Sequence, residues 1–113
     1  MAKNSLPEPE SLLPLPPATF QILMALAPAD KHGYAIMQET RLSAGTMYRS
    51  LQRMLEQGLI VETGDRPDPE MDDERRRYYR ITPYGESVAR AEARRLSALV
   101  RLARASGFVG GNA

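Results

Sequence analysis

The sequence predicts a mainly α-helical fold with a small β-hairpin wing, on three observations. Residues 43–55 carry apolar side chains at helical spacing and are followed by Gly58, a residue type that commonly ends a helix. Two stretches of strand-like composition, 59–63 and 76–82, come next, and a helix of about two dozen residues then spans 83–106. This order of helix, tight stop and hairpin indicates a winged helix-turn-helix with a long C-terminal helix.

Length and composition limit the class of protein. With 113 residues and 42% apolar content, the chain supports one modest domain, which a second subunit would help to bury. The absence of cysteine and the single histidine exclude a disulfide framework and a thiolate zinc site, so we predict no metal and no cofactor. No apolar run approaches the roughly 20 residues of a membrane span, and residues 1–10 lack the apolar core of a secretory signal. We therefore expect a cytoplasmic protein without membrane contact.

The N-terminal residues 1–16 are predicted to form a flexible arm. Residues 1–17 contain five of the nine prolines, whose rings deprive helix and sheet of backbone donors. The alternative is that Leu12, Leu13 and Leu15 dock on a neighbouring helix. The sequence leaves both possibilities open.

Two helices are predicted before residue 43. The first begins at Pro17 and ends before Pro28. On one side it carries Phe20, Leu23, Met24 and Ala27, with Ile22 and Leu26 beside them. The second covers 34–40, and we expect Tyr34 in the core with its hydroxyl satisfied. His32 has no acidic or cysteine partner nearby in sequence, so a capping or buried hydrogen-bonding role is favoured over catalysis or metal binding.

The helix at 43–55 has two different faces. Ser43 and Thr46 can cap its N-terminus, because their oxygens accept hydrogen bonds from unpaired backbone N–H groups. Its apolar face consists of Met47, Leu51, Met54 and Leu55. Its polar face consists of Thr46, Arg49, Ser50 and Arg53, and no acidic residue appears before Glu56.

Residues 59–63 and 76–82 are the two strands of the hairpin, with Tyr79 and Ile81 expected on its inner face. The connection 64–74 contains prolines and a dense acidic run, so it is predicted to be the wing loop. Three arginines follow it. They either reach a phosphate backbone or pair with Asp72, Asp73 and Glu74 at the base of the hairpin.

The last helix, about 36 Å long, has a wider apolar sector than a small three-helix core can cover. The simplest partner is the same helix of a second subunit around a two-fold axis. The predicted dimerisation residues are Val88, Leu96, Leu99, Val100, Leu102 and Ala103. Glu92 and Arg95 lie at the edge of this sector and either form an ion pair between subunits or face solvent. Residues 107–113 are predicted to be a disordered tail.

Three blocks of sequence carry a resemblance to a known family. They read H-G-Y-A-I-M at 32–37, G-T-M-Y-R-S-L-Q-R-M-L-E-Q-G-L-I at 45–60 and R-R-R-Y-Y-R-I-T-P-Y-G at 75–85. Together they resemble the PadR family of bacterial transcriptional regulators in its short form, over residues 15–106. The resemblance implies a homodimer that binds a double-stranded DNA operator, usually as a repressor released by a small ligand or a stress signal. Residues 17–82 would be its DNA-binding domain and 83–106 its dimerisation helix.

DNA binding has a physical basis in this architecture. A helix fits the major groove, where its N-terminal residues meet base edges while arginines hold phosphates. Because the net charge is only +1, the distribution of charge must matter more than its total. Carried over by position in the family, the DNA-binding residues are Ser43, Thr46, Tyr48, Arg49, Arg53, Arg75, Arg76 and Arg77. The alternatives are partial burial against the second helix for Tyr48 and ordinary solvation for the arginines.

The chain departs from the family between Thr40 and Arg41, where PadR-like proteins carry another turn or two of helix and a loop. Either the turn is shortened to three or four residues, which a helix-turn-helix accepts, or a mobile stretch is missing there. We favour the second explanation, and a chain break at this point would decide.

The sequence also bears on regulation and on competing functions. A ligand would act by changing the spacing of two recognition helices that must match half-sites about 34 Å apart or another spacing set by the dimer. Candidate neighbours of such an effector lie where the first and last helices meet: Phe20, Met24, Val88 and Leu99.

No paired carboxylates, nucleophile–base pair or phosphate-binding glycine loop indicates an enzyme. The competing hypothesis is a winged-helix module for protein contacts, in which Arg49 and Arg53 pair with acidic residues of a partner.

Overall fold

The computed structural model describes residues 6–64 and 77–110. Its helices are α1 (Pro17–Leu26), α2 (Gly33–Thr40), α3 (Ala44–Gln57) and α4 (Pro83–Ala105), and a short 3-10 helix, Pro9–Leu12, precedes them. Its strands are β1 (Lys31–His32), β2 (Ile60–Thr63) and β3 (Tyr78–Ile81). The predicted fold class, mainly α with a small β-sheet and a long C-terminal helix, is confirmed.

The core lies where α1, α2 and α3 meet the beginning of α4. Its largest fully buried side chains are Ile22, Leu23, Leu26, Ile36, Met47, Leu51, Met54, Leu59, Ile60 and Val88. The apolar face predicted for α3 is therefore confirmed, with Leu55 half-buried at its edge. The face predicted for α1 is wrong in part, since Met24 is 51% exposed. The helix turns Ile22 and Leu26 inward instead, because it packs against α3 and α4 at once.

α2 begins where His32 caps it. The N–H of Ala35 donates a hydrogen bond of 3.1 Å to His32 Nδ1, which confirms the predicted capping role. Tyr34 is 51% exposed, so its predicted place in the core is wrong. It stands two residues before the buried Ile36, on the opposite side of the helix. The Tyr34 hydroxyl accepts from Gln38 Nε2 at 3.1 Å.

The sheet is antiparallel with strand order β1-β3-β2. β2 lies beside β3 with Ile60 opposite Ile81, and β1 pairs with the other edge of β3 through His32 opposite Tyr78. β1 was not predicted, because two residues show no periodicity. Tyr79 is buried and Ile81 half-buried, as expected of the inner face. The predicted wing loop lies outside the described residues except for Gly64.

The N-terminal segment, defined here as residues 6–16, packs along the first half of α4. Leu15 is 7% exposed, and its N–H donates to Glu92 Oε2 at 3.0 Å. The Tyr84 hydroxyl donates to the carbonyl oxygen of Pro7 at 2.6 Å. The docked alternative therefore describes this segment, and the expectation of a flexible arm is wrong over residues 6–16. Residues 1–5 lie outside the described residues.

α2 and α3 are joined directly by Arg41, Leu42 and Ser43. The N–H of Arg41 donates to the carbonyl oxygen of Met37 at 2.8 Å, and the N–H of Leu42 donates to Thr40 Oγ1 at 3.3 Å. Arg41 ends α2 with a φ of 63°, in the left-handed region. The chain runs through this turn without a break, so α2 and α3 are joined by a shortened turn of three residues. The favoured explanation, a missing stretch between Thr40 and Arg41, is wrong.

α4 begins as predicted, because Thr82 Oγ1 accepts from the N–H of Gly85 at 2.9 Å. A Cβ atom at Gly85 would overlap the carbonyl oxygen of Leu59, so this position brings α4 and the start of the wing into direct backbone contact. Val88 is fully buried within its own subunit. Its assignment to the dimer face is therefore wrong.

Glu92 and Arg95 also differ from expectation. Glu92 is 2% exposed, and its Oε1 lies 2.6 Å from Arg95 Nε of the same helix. The ion pair is thus internal to the subunit, and both predicted arrangements are wrong. The cause is the N-terminal segment, which covers this part of α4 and supplies the Leu15 N–H to the same carboxylate.

The end of α4 is more ordered than predicted. Gly107 has a φ of 85°, and the N–H of Phe108 donates to the carbonyl oxygen of Ala103 at 2.9 Å. Such a left-handed glycine with a backbone hydrogen bond across it is a common helix end. The predicted disordered tail therefore starts no earlier than residue 109, and residues 111–113 lie outside the described part of the chain.

Candidate nucleic-acid interface

The outward face of α3 is the candidate interface. Ser43 Oγ accepts from the N–H of Thr46 at 3.2 Å, which fixes the start of the helix, and Gly58 ends it with a φ of 78°. The first turn contains no acidic residue. The exposed side chains of the helix body are Tyr48, Arg49, Gln52, Arg53 and Glu56. The buried methionine and leucine side chains on the opposite side of α3 pack into the core, so these five side chains remain exposed.

One groove lies between α3 and the beginning of α1, and we call it the α1–α3 groove. It has a volume of about 180 Å³ and is lined by Pro16, Thr19, Thr46, Arg49, Ser50 and Arg53. The structure therefore brings three of the predicted DNA-binding residues, Thr46, Arg49 and Arg53, into one place. Hydroxyl groups and guanidinium groups together provide donors for phosphate oxygens.

A second groove, the α3–wing groove, separates α3 from the sheet. It has a volume of about 320 Å³ and is lined by Tyr48, Leu51, Gln52, Leu55, Glu62, Arg77 and Tyr79. Tyr48 and Arg77, which were both predicted to face DNA, meet here. Arg77 Nε lies 3.2 Å from Glu62 Oε2 on β2, so the wing arginine is oriented by a neighbouring strand.

Tyr48 is positioned by a glycine of α2. A Cβ atom placed on Gly33 would lie 3.0 Å from the Tyr48 hydroxyl, so the phenol ring packs directly over this backbone. Tyr48 nevertheless remains 36% exposed. It is therefore partly packed against α2 and partly open, which combines the two predicted environments for this residue.

The arginines differ in what neutralises them. Arg80 pairs with Asp30: its Nε and Nη2 donate to Asp30 Oδ2 at 3.1 Å and 2.8 Å. In contrast, Arg49 and Arg53 make no ion pair or hydrogen bond with any residue of the described ranges 6–64 and 77–110. Guanidinium groups that are exposed and unpaired can bind phosphate without first breaking an internal contact.

The structure leaves two predicted positions undescribed and adds two that were missed. Arg75 and Arg76 lie outside the described residues, whereas Ser43 stands at the N-cap of α3. The missed positions are Thr19, which lines the α1–α3 groove, and Gly33, which supports Tyr48. The H-G-Y block includes Gly33, but only the packing shows that a glycine is needed there to make room for the Tyr48 ring. No sequence signal marked Thr19.

Other classes of site find no support in the described residues. Over 6–64 and 77–110, no three His, Cys, Asp or Glu side chains come together in a way that would hold a metal ion. No helix within the same ranges has the length and apolar character needed to cross a membrane.

Comparison with known proteins places this geometry in a family. Residues 22–91 match the transcriptional regulator PadR-like family. The chain is similar to a solved PadR family transcription regulator from Clostridium difficile R20291, with 26% identity and a TM-score of 0.68 over 82% of this chain and 98% of that one. A search among curated proteins gave no match.

Two further solved structures share the fold. A transcriptional regulator from Clostridium thermocellum is 24% identical, with a TM-score of 0.66 over 82% of this chain and 90% of that one. The transcriptional regulator BldR from Sulfolobus solfataricus is 19% identical, with a TM-score of 0.71 over 92% of this chain and 70% of that one. Since the family match covers more than half of the residues, this chain belongs to the PadR-like family of transcriptional regulators, which are DNA-binding proteins and not enzymes.

Proposed function

We propose that the protein is a cytoplasmic, homodimeric repressor that binds a double-stranded DNA operator and is released by a small-molecule effector. The observation that carries DNA binding is the outward face of α3. Arg49 and Arg53 are exposed there and unpaired within the described chain, beside the hydroxyl-bearing Thr46 and Ser50. α3 enters the major groove, with Thr46, Tyr48 and Arg49 in its first turns nearest the base edges.

The wing supplies the second contact. Arg77 is 45% exposed at its side chain and stands at the start of β3, beside Tyr48 across the α3–wing groove. Arg75 and Arg76 precede it in sequence and extend the basic run toward the wing loop. These three arginines bind phosphates that flank the groove occupied by α3, which fixes register without reading sequence.

The second half of α4 supports the homodimer. Leu99, Val100 and Leu102 are 48%, 45% and 64% exposed, which is unusual for three large apolar residues within one helical turn. The same helix of a second subunit covers them around a two-fold axis. The dimer face consists of Leu96, Leu99, Val100, Leu102 and Ala103.

The effector site is proposed at the junction of α1 and α4. A groove of about 470 Å³ lies there, lined by Phe20, Ala93, Leu96, Ser97, Val100, Arg101 and Arg104. Of the four candidate neighbours, Phe20 lines this groove. Val88 is sealed in the core, and Met24 lines a different surface groove beside Glu39 and Thr40. A ligand at this junction changes the angle between subunits and hence the spacing of the two α3 helices.

Footprinting on the DNA upstream of the protein's own gene and its neighbours tests the function. We expect one protected region with two half-sites, and transcription from the adjacent promoter should fall when the protein is added. Arg49→Ala should weaken binding to this fragment about tenfold and reduce the slope of log K against log salt by about 1, if Arg49 holds a phosphate. Tyr48→Ala should also weaken binding.

Arg90→Ala is the matched control, since Arg90 is an exposed arginine of α4 distant in sequence from α3. Its affinity and salt slope should stay close to those of the wild type. Retention of DNA that is unchanged in the Arg49→Ala and Tyr48→Ala variants would favour the protein-contact module instead.

A further inference from the structure

The α1–α3 groove is lined by a buried threonine, Thr19, whose hydroxyl has no hydrogen-bond partner in the described chain. Thr19 is 3% exposed, and its side chain makes no hydrogen bond within the described ranges 6–64 and 77–110. Buried polar groups in folded proteins nearly always have a partner, because an unsatisfied one costs on the order of 1–3 kcal/mol. Since Thr19 lines the groove, the partner that it lacks can come from a molecule bound there.

The N-terminus of α1 adds further unused donors at the same place. Its N-cap residue, Pro16, provides no side-chain hydrogen bond, and its first turn contains no acidic residue. Among backbone hydrogen bonds of the described chain, the first donor of this helix is the N–H of Phe20, which bonds to the carbonyl oxygen of Pro16 at 3.2 Å. The N–H groups of Ala18 and Thr19 are therefore left over, and they point out of a helix end that carries partial positive charge.

The opposite wall of the groove is basic. Arg49 and Arg53, one turn apart on α3, both line it, as do Thr46 and Ser50. A Cβ atom at Gly45 would lie 3.5 Å from Arg49 Nη1, so the Arg49 side chain lies back along α3 toward its N-terminus. Among the described residues, the groove has no acidic side chain in its lining.

We propose that the α1–α3 groove is an oxyanion site that binds a phosphate-like group between the N-terminus of α1 and the two arginines of α3. Helix N–H groups and guanidinium groups are the two donors that proteins most often direct at phosphate oxygens. In this proposal the buried Thr19 hydroxyl donates to the same group. The inference rests on the proposed function where the oxyanion is a DNA backbone phosphate, and it stands apart from that function where the oxyanion is free inorganic phosphate or sulfate.

A DNA phosphate in this groove has a mechanical consequence. It ties α1, which is part of the core, to the strand that borders the major groove beside α3. Tyr48, which does not line this groove, then approaches the base edges at a fixed depth, because the phosphate contact sets the register of the helix. The α1 end is thus a positioning contact for α3.

Titration of the intact protein with sodium sulfate at constant ionic strength, followed by amide NMR, is the first test. We expect saturable shifts at the amides of Ala18 and Thr19 and at the side chains of Arg49 and Arg53. Thr19→Val replaces the hydroxyl by a methyl group of similar size. It should weaken sulfate binding about tenfold, the factor expected for one hydrogen bond to a charged group. The same variant should melt at a higher temperature than the wild type, because an unsatisfied hydroxyl is removed.

These opposite effects separate a binding role from a structural one. Arg53→Gln, which removes a charge from the rim of the groove, should weaken sulfate binding by at least threefold, a low value for a charge-assisted contact. Arg90→Gln serves as the control of equal charge change and should bind sulfate like the wild type. Shifts that rise linearly without saturation, or equal sulfate binding by the wild type and Thr19→Val, overturn the proposal.

The DNA arm identifies the source of the oxyanion. On the footprinted fragment, Thr19→Val should weaken binding, and replacing one backbone phosphate by a neutral methylphosphonate should abolish the difference between wild type and variant. If Thr19→Val loses sulfate but keeps full DNA affinity, the site serves a free anion. If the wild type binds sulfate but no DNA, the proposed function fails while the oxyanion site stands. If the wild type binds DNA but shows no saturable sulfate binding, and Thr19→Val leaves the DNA affinity unchanged, the oxyanion site is refuted while the proposed function stands.

Discussion

Glu92 is expected to be the residue whose loss most weakens the contact between the N-terminal segment and α4. Its carboxylate is 2% exposed and accepts three hydrogen bonds, from the Leu15 N–H at 3.0 Å and from Arg95 Nε and Nη2 at 2.6 Å and 3.1 Å. Glu92→Ala removes all three acceptor contacts. The Leu15 N–H is then left buried without a partner, whereas the Arg95 side chain is 34% exposed and can turn to water.

The magnitude follows from the Leu15 contact. A hydrogen bond to a charged acceptor contributes about 1.5–3 kcal/mol, and for the Leu15 donor left buried without a partner we take about 2 kcal/mol from this range. The lost side-chain packing adds about 1 kcal/mol, so the free energy of unfolding should fall by about 3 kcal/mol. For a chain of this size that corresponds to a melting temperature lower by about 12 °C, at about 4 °C per kcal/mol.

The decrease in the free energy of unfolding caused by Glu92→Ala should depend on pH. Hydrogen bonds from the Arg95 guanidinium hold the pKa of the Glu92 carboxyl below its ordinary value, outweighing burial, which acts in the opposite direction. In the unfolded chain the Glu92 carboxyl titrates near its ordinary pKa of about 4.3. Just below that pH the unfolded state therefore binds more protons than the folded state. The stabilisation by Glu92 is complete above about pH 5 and is lost as pH falls through the lowered folded pKa. The difference between wild type and Glu92→Ala should thus shrink on acidification.

Thermal unfolding followed by circular dichroism, at equal subunit concentrations from about pH 7 to about pH 3.5, measures this effect. Glu10→Ala is the matched control on the same contact. Glu10 lies 3.9 Å from Arg94 with both side chains about two-thirds exposed, so its loss should cost less than about 0.5 kcal/mol. If Glu92→Ala melts within 2 °C of the wild type at about pH 7, or if its deficit is constant across the pH range, the reasoning is refuted.

Three further predictions address other positions. Gly85→Ala should destabilise the protein by more than about 3 kcal/mol in chemical denaturation, because the new Cβ overlaps the Leu59 carbonyl oxygen, a backbone atom; a gain of stability, usual for Gly→Ala within a helix, would contradict this packing. Arg41→Gly should raise the free energy of unfolding by about 0.5 kcal/mol, since glycine adopts a φ of 63° without strain, and a lowered denaturation midpoint would count against the left-handed turn. Replacing both Leu99 and Leu102 by Asp should convert a dimer to a monomer in sedimentation experiments; a wild type that sediments as a monomer, or a doubly substituted protein that remains dimeric, would exclude the proposed dimer face.

Much of the fold could be predicted because its signals are local. The caps of α3 and α4 are residues that act within one turn, Ser43 on Thr46 and Thr82 on Gly85, and both are found as expected. The apolar face of α3 was visible because helical spacing repeats several times within fourteen residues. α1 is apolar on nearly every side, so its orientation toward the core was not visible.

The candidate site was predictable only in part for the same reason. Arg49 and Arg53 follow from their positions on α3, and their charge needs no partner to be recognised. Thr19 is separated from them by about thirty residues of sequence. An isolated threonine in an apolar helix carries no sign that it borders a basic groove.

The sequence by itself determined where α1, α3 and α4 begin and which face of α3 is polar, since capping and periodicity act between residues that are near neighbours in the chain. Only the tertiary structure decided that the N-terminal segment docks, that Glu92 is buried, and that the start of α1 meets Arg49 and Arg53. Those outcomes depend on contacts such as Leu15 to Glu92, which are 77 residues apart. Contacts of this kind leave no periodic trace, because they form only after the elements have packed.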